Sequence, residues 1–305
     1  MSRTLTIVAI MWSVGGSAGI DDISAQPPKN PAAQGSLTPN GIRLNGIRLN
    51  GIRLNGDLPE ELTLQGLEPD GIRADGTSVH ISRTGAPLAG RNLVGSTWTG
   101  ATSDGAPVRL RIDAATQGTG ANRDLWSYRM SVSADDTWHP VCLDADGRPA
   151  DAVSVRGTWN YAQGVPGGGA YAPDSSQFTV ACRGTAIAKC VERGYKPWAG
   201  ATAELAACVR ALRADYCGDG TPNTKDGTMV NIFDDRGIEV DGADWVPEAE
   251  WTPQGAACIA GTEQTRFFQV AHTSPSCAHQ MLTRERACGT GFHHGAVIIT
   301  ELAPR

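Results

Sequence analysis

The sequence predicts an α+β protein: an antiparallel β-rich domain with a two-helix, disulfide-stapled segment, preceded by a short pentad-repeat segment. Apolar and polar residues alternate at 108–112 and 126–132, which is typical of strands with one buried face. Residues 186–193 and 202–214 are rich in Ala, Leu, Arg and Glu, which favours two helices. All eight cysteines lie beyond residue 140, so the cross-links belong to the C-terminal half.

The N-terminus has the order of a signal peptide. Arg3 precedes an apolar run over 5–14, and small residues follow at 15–19. We predict a signal peptide at 1–19, cleaved after residue 18, 19 or as late as 25, and therefore a secreted or cell-envelope protein. The alternative is a buried N-terminal strand, which a Pro-rich stretch would rarely follow. Because the apolar run is shorter than the ~20 residues that span a bilayer, we predict no membrane span.

The next two segments are defined by proline and then by glycine. Residues 20–39 contain four prolines and predict an extended linker. Residues 40–105 form the pentad-repeat segment, which begins with three copies of Asn-Gly-Ile-Arg-Leu and continues with glycines five residues apart. A period of five fits neither a helix nor a strand, so the repeat predicts a solenoid that turns every five residues.

Part of this segment resembles a known family. Residues 86–95, in the order Ala-Pro-Leu-Ala-Gly-Arg-Asn-Leu-Val-Gly, resemble the pentapeptide-repeat family, which implies a right-handed quadrilateral β-helix. Ile42, Ile47 and Ile52 depart from the pattern, because that family prefers a small inward residue there. For the first copies a low-complexity tail is an equal alternative, whereas we expect ordered structure for 85–105.

The predicted domain covers residues 106–305. Its strand candidates alternate with turn-rich stretches, of which the longest, 163–176, contains a run of three glycines. A β-hairpin is expected around the Asp-Asp-Arg turn at 234–236. The predicted strands are 108–112, 126–132, 152–161, 177–182, 228–233, 237–240 and 296–302.

An oxidising compartment allows the cysteines to pair. Eight cysteines allow 105 pairings, and the sequence alone cannot choose among them. Helical spacing turns Cys208 inward, which favours Cys190 as its partner, with Cys217 as a competitor. Near the C-terminus, Cys277 with Cys288 is the simplest pair. The predicted disulfide cysteines are Cys142, Cys182, Cys190, Cys208, Cys217, Cys258, Cys277 and Cys288.

A longer resemblance covers most of the predicted domain. The stretch 178–184, the Lys-Cys-Val at 189–191, the Gly-Tyr-Lys-Pro-Trp at 194–198 and the run 213–220 are similar to the ADYC domain. That family consists of exported bacterial proteins, mainly myxobacterial, and is named for the Ala-Asp-Tyr-Cys order of residues 214–217. It has no established activity, so the resemblance implies export and one fold without implying a mechanism.

Three side chains are candidates for acid–base catalysis. One possible acid–base pair is Asp215 with the adjacent Tyr216. The other is His293 with a carboxylate such as Glu301. The sequence lacks the Ser-x-x-Lys, His-Glu-x-x-His and phosphate-loop signatures of common catalytic sites. The structural alternative is that Asp215 closes a helix end and Tyr216 lies in the core.

Two stretches contain metal-ligating residue types. Asp219, Asn223 and Asp226 offer oxygen atoms to Ca²⁺ in a Gly-bearing loop, but the loop lacks the alternate acidic positions and the closing Glu of an EF-type loop. Near the C-terminus, six histidines and cysteines lie within 23 residues and could ligate zinc if the thiols were free. With Cys277 paired to Cys288 that site is lost, and we predict no metal and no cofactor.

Charge and repeats lead to three hypotheses of function. The net charge of −6, with no run of Lys or Arg longer than two, predicts no nucleic-acid partner. The first hypothesis is a secreted or cell-surface structural or binding module, with an unknown extracellular ligand or envelope component as partner. The second is a secreted hydrolase with an acid–base site near Asp215. The third is an exported substrate whose identical Asn-Gly-Ile-Arg-Leu repeats are modified.

Overall fold

The computed structural model describes most of the predicted domain and parts of the segment before it. The described residues are 37–39, 55–56, 71–82, 88–101, 107–133, 137–173, 178–282 and 287–304. The predicted signal peptide, most of the linker and the three Asn-Gly-Ile-Arg-Leu copies lie outside the described residues. Within the described ranges, no helix is long and apolar enough to cross a membrane.

The described part of the chain is mostly β structure, and its longer helices are adjacent in sequence. The strands are β1 (Leu37–Pro39), β2 (Asn55–Gly56), β3 (Gly71–Asp75), β4 (Ser78–Ser82), β5 (Leu88–Ala89), β6 (Thr97–Ala101), β7 (Pro107–Gln117), β8 (Trp126–Ser133), β9 (His139–Pro140), β10 (Ala152–Arg156), β11 (Thr158–Trp159), β12 (Tyr171–Ala172), β13 (Phe178–Cys182), β14 (Met229–Asp234), β15 (Val246–Thr252), β16 (Gly255–Ile259) and β17 (Ile298–Leu302). The α-helices are α1 (Ala186–Glu192), α2 (Thr202–Arg213) and α3 (Ala278–Leu282). The predicted α+β class is therefore confirmed.

The larger sheet has seven antiparallel strands. Their order is β2-β13-β10-β8-β7-β6, and β9 pairs with β8. The long hairpin of β7 and β8 contains both alternating stretches that the sequence predicted as strands, and Ile112 lies opposite Met130. Tyr128, Met130 and Val132 are buried because every second residue of β8 faces the same side of the sheet.

Strands β10 and β13 are buried on both faces. Val153 and Val155 pack in the core cluster that includes the helices, whereas Ala152 and Val180 pack in a second cluster on the opposite face. A strand covered on both sides is typically apolar, and residues 152–155 are apolar except for the buried Ser154. The predicted strand 152–161 is divided at Gly157, whose φ of 93° breaks the ladder before β11.

The smaller sheet combines the β15–β16 hairpin with strands from distant parts of the sequence. Its order is β1-β14-β17-β15-β16, and all its pairs are antiparallel. The predicted strands at 228–233 and 296–302 are β14 and β17, which pair with each other. The predicted hairpin around 234–236 is wrong, because residues 237–240 form no strand. Instead the Asp234 carboxylate accepts the N–H groups of Arg236, Ile238 and Glu239 at 2.9, 3.1 and 2.6 Å, which folds this stretch as a loop.

Helices α1 and α2 pack between the two sheets in one core. Both were predicted, and ten of the twelve residues of α2 are buried. Apolar residues of α2 share a cluster with Val230 and Ile298 of the smaller sheet and with Val153 of the larger one. The disulfide between Cys190 and Cys208 joins the two helices, as the sequence predicted.

The described residues in the later part of the pentad-repeat segment do not form the β-helix coil that the sequence predicted. Residues 88–101 form strand β5, a 3₁₀ turn at Gly90–Leu93 and strand β6. Strand β6 pairs antiparallel with β7, whereas coils of a β-helix stack in parallel. The regularly spaced glycines lie in turns, since Gly90 and Gly95 have φ values of 53° and 86°. Leu93 is fully buried in the second core cluster, so this segment belongs to the domain.

Candidate functional site

The Ala-Asp-Tyr-Cys run at 214–217 lies where α2 ends. Ala214 has a left-handed backbone with φ of 50°, and its N–H donates to Ala211 O at 3.1 Å. The N–H of Asp215 donates to Arg210 O at 3.0 Å, which closes the last turn. This termination directs the Asp215 side chain back towards α2, so the residue does close a helix end.

Asp215 is fully buried in a network with two arginines of α2. Arg210 Nη1 donates to Asp215 Oδ2, and the side chains are 2% and 0% exposed. The backbone N–H groups of Asp219 and Gly220 donate to the same carboxylate at 3.1 and 3.0 Å. Arg213 Nη2 donates to Gly220 O at 2.6 Å. Burial raises the pKa of Asp215, while the charges of Arg210 and Arg213 oppose that rise.

The glycine run at 167–169 is part of the same network. Arg210 Nη1 also donates to Gly168 O. A Cβ at Gly168 would lie 2.2 Å from Asp219 O, and one at Gly169 would lie 2.7 Å from Arg210 Nη1. Only glycine permits this approach, so the turn-rich stretch is held against the end of α2.

Tyr216 belongs to a second buried network on the smaller sheet. Its hydroxyl donates to Glu248 Oε1 at 2.5 Å and accepts the N–H of Arg266 at 3.0 Å. Arg266 Nε lies 2.9 and 3.1 Å from the two Glu248 oxygens, and Arg266 Nη2 donates to Ala211 O at 2.7 Å. Thr300 Oγ1 donates to Glu248 Oε2 at 2.8 Å. The network therefore ties α2 to β15 and β17.

Cys217 completes the run by fixing a distant segment. All eight cysteines are paired, in agreement with the prediction that each forms a disulfide. The competing pairing of Cys208 with Cys217 does not occur. The bonds are Cys142–Cys182, Cys190–Cys208, Cys217–Cys277 and Cys258–Cys288.

The expected pairing of Cys277 with Cys288 is wrong. Cys277 directly precedes α3 and lies against the end of the Ala-Asp-Tyr-Cys run, where its N–H points to Cys217 Sγ at 3.3 Å. Cys288 lies beside strand β16, which contains Cys258. Proximity in the sequence misled the prediction, because the fold brings two earlier cysteines closer.

His293 lies in a different network from Asp215. Its Nδ1 is 2.8 Å from Glu250 Oε1, and its backbone N–H donates to Glu250 Oε2 at 2.7 Å. Glu301 instead accepts from the Asn231 side chain at 2.8 Å. None of the contacts described for Asp215 or Tyr216 includes His293, so the structure does not assemble the three catalytic candidates into one site. Their catalytic role stays a prediction.

The candidate calcium ligands have separate positions. Asn223 is buried, donates to Ala214 O and Thr221 O at 3.1 and 3.0 Å, and accepts from Thr273. Asp219 Oδ1 accepts the N–H of Thr221 at 2.8 Å, which is a local turn contact. Asp226 is exposed. The Asn223 amide therefore holds neighbouring segments together through hydrogen bonds.

A polar cleft of about 260 Å³ opens where the helices meet both sheets. Residues 121–122 of the β7–β8 connection form one wall, residues between 192 and 201 at the end of α1 form the second, and residues 236 and 238 after β14 form the third. The walls are joined by bonds from Asn122 Nδ2 to Glu192 O and from Lys196 Nζ to Ala121 O, both 2.9 Å. No local sequence pattern indicates this cleft, because its residues come from three separate segments of the chain.

The cleft is lined by three basic side chains and one acidic one. Arg193 Nη1 donates to Glu239 Oε1 at 2.8 Å, and Lys196 Nζ lies 2.5 Å from Asp124 Oδ1. Arg236 is 42% exposed and lies 3.5 Å from a Glu204 oxygen. Glu192 is the acidic residue of the lining. Each of the three basic side chains therefore has a carboxylate partner, and Arg236 is the most exposed of the three.

Glu239 makes the domain sensitive to pH. Burial raises its pKa from 4.5 to about 7, while Arg193 opposes and Asp234 adds to the rise. The folded state therefore keeps this proton between those values, whereas the unfolded state releases it. The resulting contribution to stability is fully present below about pH 4.5 and is lost as the pH rises through about 7. We expect urea denaturation to show a smaller loss of unfolding free energy between about pH 5 and 8 for Glu239→Gln than for wild type. Equal losses would contradict this assignment.

A family model matches the part of the chain that contains the Ala-Asp-Tyr-Cys run and the cleft. The family model described as ADYC domain matches residues 90–265. The chain belongs to the ADYC domain family. No curated protein and no solved structure matches it. The matched range of this ADYC domain contains the Ala-Asp-Tyr-Cys run and every residue that lines the cleft, whereas Cys288 and His293 lie beyond it.

In this ADYC domain the Ala-Asp-Tyr-Cys run at 214–217 has a structural role. Ala214, Asp215 and Tyr216 are at most 1% exposed, and Cys217 is in a disulfide. These residues fix the end of α2 to the glycine run, the smaller sheet and the segment before α3. Two of the four disulfides lie within the matched range and two reach beyond it, and together they fit a protein of an oxidising compartment.

Proposed function

We propose that this protein is an exported binding module, in which a disulfide-stapled scaffold presents the polar cleft to a small anionic ligand. The observation that favours it is the set of Arg193, Lys196 and Arg236 around one opening of about 260 Å³. Ligand pockets are typically about 300–1,000 Å³, so this cleft suits a ligand of a few heavy atoms, such as a carboxylic acid or a phosphate ester.

The chemistry of the cleft supports an anion. Arg236 is partly exposed, and its guanidinium has five N–H donors in a planar fork that matches a carboxylate or a phosphate. Arg193 is held in place by Glu239, whose raised pKa leaves the Arg193 charge less compensated in acid. Such preorganised donors bind an anion at a small entropic cost.

Burial of the Ala-Asp-Tyr-Cys run favours this proposal over a hydrolase near Asp215. Asp215 and Tyr216 are 0% and 1% exposed and bind groups within the fold, so neither side chain can contact a substrate without a rearrangement. The cleft, by contrast, reaches the surface at Arg236, which is 42% exposed.

The N-terminal segments fit the same function. A signal peptide at 1–19 exports the chain, and the Pro-rich linker with the pentapeptide-like repeat links the domain to its surroundings. Strands β1 and β2 lie on either side of the three repeat copies and pair with β14 and β13 of the domain. Secretion followed by intact-mass measurement tests export, because the mature chain should lack residues up to 18, 19 or 25.

Anion titrations monitored by NMR test the proposed cleft. Inorganic phosphate, acetate and citrate are added to the full mature protein labelled with ¹⁵N. We expect saturable shifts at the amides of 121–122, 193–201 and 236–238 for at least one of them. Arg236→Ala should weaken that binding by about tenfold, which corresponds to the loss of one charge-assisted contact.

Arg148→Ala is the matched control, because Arg148 is 76% exposed and lies outside the cleft lining. It should leave the affinity unchanged. The proposal fails if none of the three anions gives a saturable shift in the cleft, or if Arg236→Ala and Arg148→Ala bind equally well.

A further inference from the structure

We propose that Asn231, Asp241 and Glu301 form a calcium site where the loop after β14 meets the smaller sheet. Asn231 Nδ2 donates to Asp241 Oδ1 at 2.7 Å and to Glu301 Oε2 at 2.8 Å, so the three side chains converge on one point. Asn231 Oδ1 is buried, and no described residue donates a hydrogen bond to it. A buried oxygen without a partner is costly, and a cation supplies one. The inference does not depend on the anion cleft.

The smaller sheet places two of these ligands side by side. Asn231 of β14 lies directly opposite Glu301 of β17, and opposite residues of an antiparallel pair project to the same face. Their exposed fractions are 0% and 6%. Asp241 comes from the connection between β14 and β15 and is exposed. The site therefore has a buried side within the sheet and an open side that water can reach.

The charges around Asn231 favour a cation. Burial raises the pKa of Glu301, the Asn231 amide opposes that rise, and the negative charges of Asp241 and Asp244 add to it. Among the described residues, these three carboxylates form no ion pair with Lys, Arg or His. A divalent cation bound between Glu301 and Asp241 supplies the positive charge that balances them.

The ligand atoms and their spacing match Ca²⁺. This ion binds carboxylate and amide oxygens at about 2.3–2.6 Å and takes about six to eight of them in a flexible geometry. A half-turn of the Asn231 amide brings Oδ1 to the place of Nδ2, which lies 2.7 and 2.8 Å from one oxygen of each carboxylate. Two oxygens that bind one Ca²⁺ at about 2.4 Å, about 70–90° apart, are about 2.8–3.4 Å from each other. Small shifts therefore suffice, and water completes the shell on the side of Asp241.

Calcium titration of the full mature protein tests the site. The ¹⁵N-labelled protein is treated with EDTA, dialysed, and titrated with CaCl₂ or MgCl₂ at constant ionic strength. We expect saturable Ca²⁺ shifts at the amides of 231, 241–245 and 301, with a Kd of about 0.1–1 mM because the protein supplies few ligands. Mg²⁺ should bind about tenfold more weakly, since it demands a stricter geometry. CaCl₂ at about 10 mM should raise Tm by about 3–10 °C, because the ion binds the folded state.

Three variants of equal size change separate this site from other acidic groups. Glu301→Gln keeps the shape and an acceptor for Asn231, and it should weaken Ca²⁺ binding at least about tenfold and abolish the rise in Tm. Asp241→Asn should act in the same way from the exposed loop, without changing the buried ligand. Asp226→Asn is the matched control, because it removes an exposed carboxylate elsewhere and should bind Ca²⁺ like wild type.

Three results would overturn the proposal. The first is the absence of a saturable Ca²⁺ shift in the wild type. The second is a set of shifts confined to residues 219–227, which would place the ion in the Gly-bearing loop instead. The third is that Glu301→Gln and Asp241→Asn bind Ca²⁺ as tightly as Asp226→Asn.

Discussion

Replacement of Asp215 by Ala lowers the free energy of unfolding by about 3–5 kcal/mol. The change removes the acceptor of a buried arginine, so Arg210 keeps its charge without the partner that offsets its desolvation. It also leaves the N–H groups of Asp219 and Gly220 without their acceptor. Few single substitutions remove so many buried contacts at once.

Urea denaturation at neutral pH measures this effect. Asp146→Ala is the matched control, because Asp146 is 67% exposed and pairs with Arg148 at 3.3 Å on the surface. Such exposed pairs contribute about 0–1 kcal/mol, so the control should unfold close to wild type. If Asp215→Ala and Asp146→Ala unfold at the same urea concentration, the buried contacts of Asp215 do not stabilise the fold.

Replacement of Glu248 by Ala has a similarly large effect, again about 3–5 kcal/mol. Arg266 and Glu248 are both 0% exposed, so the arginine is left charged inside the core. The hydroxyl of Tyr216 and that of Thr300 lose their acceptor as well. Thermal or urea unfolding should therefore occur much earlier than in wild type.

A pair of further variants separates the buried charge from the loss of packing. Glu248→Leu with Arg266→Met removes both charges and retains apolar volume, so it should recover a large part of the stability that Glu248→Ala loses. Glu192→Ala breaks a partly exposed pair with Arg183 and should cost only about 0.2–1 kcal/mol. A double variant less stable than Glu248→Ala would show that packing, rather than unpaired charge, dominates.

Apolar periodicity predicted the elements that obey it. The strands at 108–112 and 126–132 were identified because their sequences alternate, and helix α2 because its apolar residues share one face. Strands β15 and β16 were missed for the opposite reason. Glu248 and Glu250 give β15 a polar sequence with a proline at 247, yet both glutamates are 0% exposed. Their partners, Arg266 and His293, are remote in the sequence, so no local pattern could reveal the burial.

The candidate sites show the same limit. Asp215 and Tyr216 were singled out from the family run, and the alternative structural role is the one that their contacts describe. Lys196 and Arg236 were not identified as binding residues, because three connecting segments bring them together. The one feature of the sequence that could have indicated the cleft is Lys196, since lysine is rare in this chain and this one precedes Pro197 and Trp198. Composition could indicate paired cysteines, but only the fold decided the partners of Cys277 and Cys288.

The central claim is that the Ala-Asp-Tyr-Cys run joins helix α2 to the smaller sheet and to the segment before α3. Peptide mapping of the non-reduced protein by mass spectrometry tests it most directly. The account predicts one linked peptide pair that contains Cys217 and Cys277, and another that contains Cys258 and Cys288. A linkage of Cys277 to Cys288, or of Cys217 to Cys190 or Cys208, would contradict it.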